Sequence, residues 1–280
     1  MKIKYFLLIA ILIFFTAATY SQTTPKEIFE KGLENYFNSK YQDGIKYFDE
    51  YIKSAANDPM GFTYRGLCYQ SLKNYQKALD DFTKVINLGK NNPEGYIYRG
   101  NTYVMQRNIP SALTDFFDAI RYGPDNIEGY LGRARAYVIK ADYSNALKDI
   151  NLAVGVAPRD PRVYVNKAFI HYLSGDTGNV LEAVDMAFYN DSDIVFTDTK
   201  REFLFTKIEI FKTSMNVING KIRDFPENYM GYFVRGLTYY LTNSYDKSKS
   251  DLKKAIELNS NNDKLKVTVN KILRSIKRNT

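Results

Sequence analysis

The sequence predicts an all-α fold, an α-solenoid of seven helix-turn-helix repeats closed by a C-terminal capping helix, and three observations carry that expectation. Prolines 25, 59, 93 and 161 stand in one 34-residue frame. Small residues recur at the eighth place of the frame, and aromatic residues recur at helical spacing on either side of it. Carried forward, the frame starts repeats at Pro25, Pro59, Pro93, Ile127, Pro161, Val195 and Tyr229, and these occupy residues 22–262 without an insertion.

Ahead of the repeats, Lys2 and Lys4 precede an unbroken apolar run from Phe6 to Phe15, and Thr16 to Ser21 are mostly small. This is the layout of a secretory signal peptide, residues 1–21, with cleavage expected near Ser21 and a mature start at Gln22. The run is shorter than the roughly 20 apolar residues that span a bilayer. No cysteine lies near the junction to carry a lipid anchor. An exported, periplasmic or secreted protein is the expectation.

Within each repeat the first helix is marked by Gly32, Gly66, Gly100, Ala134, Ala168 and Gly236 at place eight, where a small side chain lets two helices approach closely. Place four carries Ile28, Phe62, Tyr96, Tyr130, Tyr164 and Tyr232, and place eleven carries Tyr69, Tyr103, Tyr137, His171 and Tyr239. Spacings of four, three and seven put them on one helical stripe. The second helix shows its own buried stripe, with Gly44, Ala78, Ala112 and Ala146 at place twenty and Phe48, Phe82, Phe116, Ile150, Val184, Ile218 and Leu252 at place twenty-four. Repeat six is degenerate: Asp198 and Glu202 stand where an aromatic and a small residue belong. After Asn262, Leu265, Val269, Ile272, Leu273 and Ile276 form one apolar stripe with lysines and arginines opposite. Residues 263–280 therefore read as a basic helix covering the last repeat.

This small-aromatic pattern, as in Tyr96-Ile97-Tyr98-Arg99-Gly100-Asn101-Thr102-Tyr103, resembles the tetratricopeptide repeat over essentially all of the chain after the signal peptide. The resemblance implies a right-handed solenoid whose first helices line a concave groove with places two, five, nine, twelve and thirteen. Those places supply the candidate ligand-binding residues Leu33, Tyr36, Phe37, Leu67, Ile97, Val104, Leu131, Val138, Phe169, Tyr172, Leu237 and Tyr240, with Asn101 and Arg162 as scattered polar candidates. A contiguous apolar strip on an open groove marks an interaction site, although any one of these residues can equally be packing between neighbours. The lysine-asparagine-arginine set by which some relatives grip a chaperone's C-terminal carboxylate is missing here, since no repeat has a basic fifth residue.

Place seven is basic throughout: Lys31, Arg65, Arg99, Arg133, Lys167, Arg201 and Arg235. Such a ladder could hold an acidic ligand. Place twenty-three decides against that for four of them, because Asp81, Asp115, Asp149 and Asp251 occur only in the repeats that carry Arg65, Arg99, Arg133 and Arg235. Structural arginine-aspartate bridges between the two helices of one repeat are the expectation, arginine's planar fork suiting a carboxylate.

The inventory excludes most chemistry. With Tyr 24 and Phe 18 against Trp 0, His 1 and Cys 1, metal and nucleophile sites lack raw material, and neither metal nor cofactor is expected. His171 replaces a core tyrosine and reads as a core histidine bonded to a neighbour, and Cys68 as a buried thiol. Asp191 and Asp193 read as a solvated loop. The formal charge of +8 includes Lys2 and Lys4, and six cations against one acid lie in residues 263–280, so the repeats themselves are close to neutral. Nucleic acid is not an expected partner. The expected function is that of a non-enzymatic scaffold binding a protein or peptide in its groove, with a peripheral contact to the envelope through the basic helix. The alternative is a carbohydrate or cell-wall binder using groove aromatics. The sequence leaves the partner's identity and the oligomeric state open.

Overall fold

The computed structural model describes residues 24–190 and 208–279, an all-α chain with fourteen helices and no strand among the described residues. The signal-peptide segment, Asp191 and Asp193, and Asp198, Arg201 and Glu202 of the degenerate repeat lie outside them. The chain divides into two compact parts, one ending at Lys90 and the other beginning at Asn91. The first holds α1 (Pro25–Phe37), α2 (Tyr41–Ser54), α3 (Pro59–Ser71) and α4 (Tyr75–Leu88). The second holds α5 (Pro93–Met105), α6 (Ile109–Tyr122), α7 (Ile127–Ile139), α8 (Tyr143–Val156), α9 (Pro161–Ser174), α10 (Val180–Asn190), α11 (Ile208–Asp224), α12 (Tyr229–Leu241), α13 (Tyr245–Leu258) and α14 (Asp263–Asn279). Consecutive helices pair as α-solenoid repeats within each part. No described helix is long and apolar enough to cross a membrane.

Each first helix starts where a side-chain oxygen satisfies an otherwise orphaned amide. Thr24 and Glu27 form a reciprocal capping box, and Asp58, Asn92, Asn126, Asp160 and Asn228 accept from the amides of Met60, Glu94, Glu128, Arg162 and Met230. Proline at the first helical place removes an N–H that has no partner anyway. The same helices end in a left-handed residue, Ser39, Lys73, Arg107, Ala141 and Asn243 at φ 56 to 61°, and Gly175 at 88°. In repeat one the amide of Lys40 bonds to the Asn35 carbonyl and that of Ser39 to the Tyr36 carbonyl, a Schellman closure that turns the chain into α2.

Packing inside a repeat is a small residue pressed on a large one. A Cβ built on Gly32 would stand 2.5 Å from the Phe48 ring, and one on Gly66 2.7 Å from the Phe82 ring. Phe116 is held between Gly100 and Gly132 in the same way. Where the large partner shrinks to Ile150 or Val184, alanine takes the small place as Ala134 or Ala168. Phe48, Phe82 and Phe116 are fully buried, and each stabilises by about 1.5 to 3 kcal/mol relative to an exposed ring.

The end of the second part departs from simple stacking. Leu265, Val269, Ile272 and Ile276 of α14 are fully buried, and α14 packs on α12 and α13 but also on α10, more than 70 residues earlier. Asp185 of α10 accepts hydrogen bonds from Thr268 Oγ1 at 2.7 Å and Lys271 Nζ at 3.2 Å. On α11, Lys221 Nζ donates to the Tyr172 carbonyl at 3.1 Å and lies 4.9 Å from the centre of the Tyr172 ring, so a cation closes the carbonyl end of α9.

The small-against-ring contact is directly testable. Gly66→Ala should destabilise the protein by about 1 to 3 kcal/mol in a denaturant titration, and Phe82→Leu added to it should recover part of the loss. An additive double variant would disprove the contact's importance.

Candidate interaction surface

The four place-seven arginines meet the four place-twenty-three aspartates with two hydrogen bonds each. Arg65 reaches Asp81 at 3.0 and 2.6 Å, Arg99 reaches Asp115 at 2.9 and 2.8 Å, Arg133 reaches Asp149 at 2.9 and 2.7 Å, and Arg235 reaches Asp251 at 2.6 and 2.8 Å. The carboxylates are buried and the arginines mostly so. Further acceptors come from the preceding repeat, Asp49 for Arg65 and Asn219 for Arg235 among them. Burial pushes the Asp81 and Asp115 carboxyls above their ordinary range, and the facing guanidinium opposes that. These arginines are committed to the scaffold.

The candidate groove residues separate by burial. Ile97, Val104, Leu131, Phe169, Tyr172, Leu237 and Tyr240 are all buried. A partner lying on the first helices does not reach side chains buried in this way, and the expectation that they line an open groove is corrected. Asn101 and Arg162 are likewise engaged. Asn101 Oδ1 accepts from Arg135 Nη1 at 3.0 Å; Arg162 bonds Glu128 at 2.6 Å and Asp160 at 2.6 Å, and its carbonyl accepts from Asn166. Val138 stays half-buried.

The remaining half-buried candidates and the most exposed one lie in residues 24–90. Leu33, Tyr36 and Leu67 are half-buried, and Phe37 is 60% exposed. Tyr36 is the hub of a ring cluster, with Phe37 at 5.4 Å and 69°, Tyr41 at 5.9 Å and 58°, and Tyr64 at 5.6 Å and 74°. Edge-to-face packing holds Tyr36 in place. The rings are steeply inclined to one another, so they present an uneven apolar surface rather than a flat stacking platform.

Sequence reasoning missed Arg135 and Glu128. Both sit on the first-helix face, and each is bonded to the residue at the same place in a neighbouring repeat, 34 positions away. Burial pulls the Arg135 guanidinium below its usual range and pushes the Glu128 carboxyl up. The signal is present in the sequence as polar residues recurring at one place of the frame: Asn101 and Arg162 stand out as single candidates, and their partners lie 34 positions away.

His171 is buried with Nδ1 2.9 Å from Asp176 Oδ2, close enough for an ion pair but outside hydrogen-bond alignment. No group of three His, Cys, Asp or Glu could hold a metal ion among the described residues.

A profile of the tetratricopeptide repeat matches residues 65–92 and 231–262. Tetratricopeptide repeats are found in this chain. Among solved structures, MamA (41-end) from Desulfovibrio magneticus RS-1 is 17% identical and superposes with a TM-score of 0.51, covering 61% of this chain and 97% of its own. A tetratricopeptide repeat protein from Parabacteroides merdae is 16% identical with a TM-score of 0.50, covering 89% and 98%. TTC0263, a thermophilic protein from Thermus thermophilus, is 15% identical with a TM-score of 0.51, covering 70% and 100%. At these identities the likeness is one of tetratricopeptide fold. No curated protein matches the sequence.

Two expectations follow for the repeat array. Arg99→Met strands the buried Asp115 carboxylate and should cost about 3 to 5 kcal/mol, most of it restored by adding Asp115→Leu; equal losses in the single and double variants would contradict this. Burial also pushes the Cys68 thiol from 9.0 and the Tyr172 phenol from 10.0 up to about 12. The folded state keeps both protonated where the unfolded chain ionises, so their stability contribution is complete below pH 9.0 and is lost as pH rises toward about 12. Denaturation midpoints should fall across that window, and native Cys68 should resist iodoacetamide at about pH 8.

Proposed function

We propose that this chain is a non-catalytic scaffold, exported to the cell envelope, that holds a protein or peptide partner on the first-helix face of its repeats. The observation that carries the reading is the half-open patch of Leu33, Tyr36, Phe37 and Leu67, an apolar surface with a strongly exposed ring at its edge. Surfaces of this kind mark interaction sites, and aromatic residues dominate binding energy where they are anchored by neighbours. Tetratricopeptide repeats in the chain support a scaffold role. The inclined rings favour a protein over a glycan, which stacks best on a flat face.

Export rests on Lys2, Lys4 and the apolar run from Phe6 to Phe15. The exposed Lys264, Arg274 and Lys277 of α14 add a basic surface suited to a peripheral contact with the envelope. The absence of a second histidine and of a second cysteine from the sequence supports a non-catalytic role.

Crosslinking followed by recovery from the envelope fraction tests the proposal. The wild-type chain, starting at Gln22 by intact mass, should capture a protein partner, and Phe37→Ala should reduce that capture at least severalfold while the melting temperature stays unchanged. Recovery of glycan without protein would overturn the reading, as would recovery of the chain only from the cytoplasm.

A further inference from the structure

Places nine and twelve of the repeat frame carry the same two residues at both ends of the array, Leu33 and Tyr36 in repeat one and Leu237 and Tyr240 in repeat seven. In repeat seven both are buried. The Tyr240 hydroxyl shares a 2.7 Å hydrogen bond with Ser275 of α14, and its ring lies 6.2 Å from Phe188 of α10. Helix α10 is remote from repeat seven in sequence yet docks there, with Asp185 held by Thr268 and Lys271 of α14. Asp185 and Phe188 are three apart on one stripe of α10, and that stripe meets Tyr240 of α12 and Thr268 and Lys271 of α14.

Repeat one presents the corresponding surface in the open state described above. Helix α3 stands to α1 as α14 stands to α12 in the frame. It carries Tyr64, Leu67 and Ser71 at the places of Thr268, Lys271 and Ser275.

We infer that the face formed by Leu33, Tyr36, Phe37, Tyr64 and Leu67 seats an amphipathic α-helix of a partner protein, as α12 and α14 seat α10. The inference rests on the protein-binding reading and commits it to a helical partner. The occupant sets an aromatic residue against Tyr36, as Phe188 is set against Tyr240. Three residues before it stands an aliphatic residue where α10 has Asp185, because Leu67 replaces the Lys271 cation and a carboxylate there would lose water without gaining a partner.

The test uses the full chain and a peptide of the 11-residue α10 sequence carrying Asp185→Leu. An isolated helix of this length does not hold its shape in water. A covalent side-chain link therefore joins the places of Glu182 and Met186, which are exposed and one turn apart in α10. Fluorescence anisotropy should show saturable binding of the linked peptide, weakened about tenfold or more by Phe37→Ala at unchanged melting temperature. Phe37→Leu, which keeps apolar volume, should weaken it less. A peptide with Val184→Pro should not bind. Failure of the linked peptide to bind, or binding indifferent to Phe37→Ala, overturns the inference. Equal binding of the proline peptide, still sensitive to Phe37→Ala, also overturns it while leaving the protein-binding reading intact; that reading falls only if the crosslinking experiment captures no protein.

Discussion

The close approach of two helices, a small residue against a large buried one, is the constraint on which the rest of this structure depends. Gly32 against Phe48, Gly66 against Phe82 and Gly100 against Phe116 leave no room for a Cβ without a shift. That proximity brings place seven of one helix within bonding distance of place twenty-three of the next, so the arginine-aspartate forks depend on the small residue at place eight, glycine in three of these repeats and Ala134 in the fourth. Apolar packing supplies the driving force, and the forks set rotation and register, since a two-point hydrogen bond is satisfied in one relative orientation.

Polar groups on the first-helix face do a similar job between repeats. Asn101 with Arg135 and Glu128 with Arg162 join equal places 34 residues apart. The face of the second part is therefore tied together by its own side chains and lined beneath by buried apolar ones. The face of residues 24–90 has tyrosine, phenylalanine and leucine in place of such ties, and it keeps apolar surface in reach of a partner. Accessible apolar surface is thus concentrated where the array is least internally tied.

The C-terminal helix shows the same physics applied inward. Its apolar stripe is fully buried, its hydroxyls reach Asp185 and Tyr240, and its contact with α10 spans the degenerate sixth repeat. The exposed cations are what remains of its basic character once Lys271 is paired with Asp185.

Local and periodic features were legible in the sequence because they repeat. Gly at place eight with Phe at place twenty-four, and Arg at place seven with Asp at place twenty-three, state a distance requirement several times over. The left-handed turn residues were not legible, since Ser39, Lys73, Arg107 and Ala141 carry no glycine signal and take that conformation because the Schellman closure demands it. Exposure was not legible either: Leu33 and Leu237 share a residue type and a place in the frame, and the sequence assigns them one role. Only the tertiary structure separates them, because α10 returns to cover the vicinity of one and nothing described covers the other to the same degree. Periodicity determined which residues turn toward the face; long-range packing, which no 34-residue frame encodes, decided which part of that face stays open.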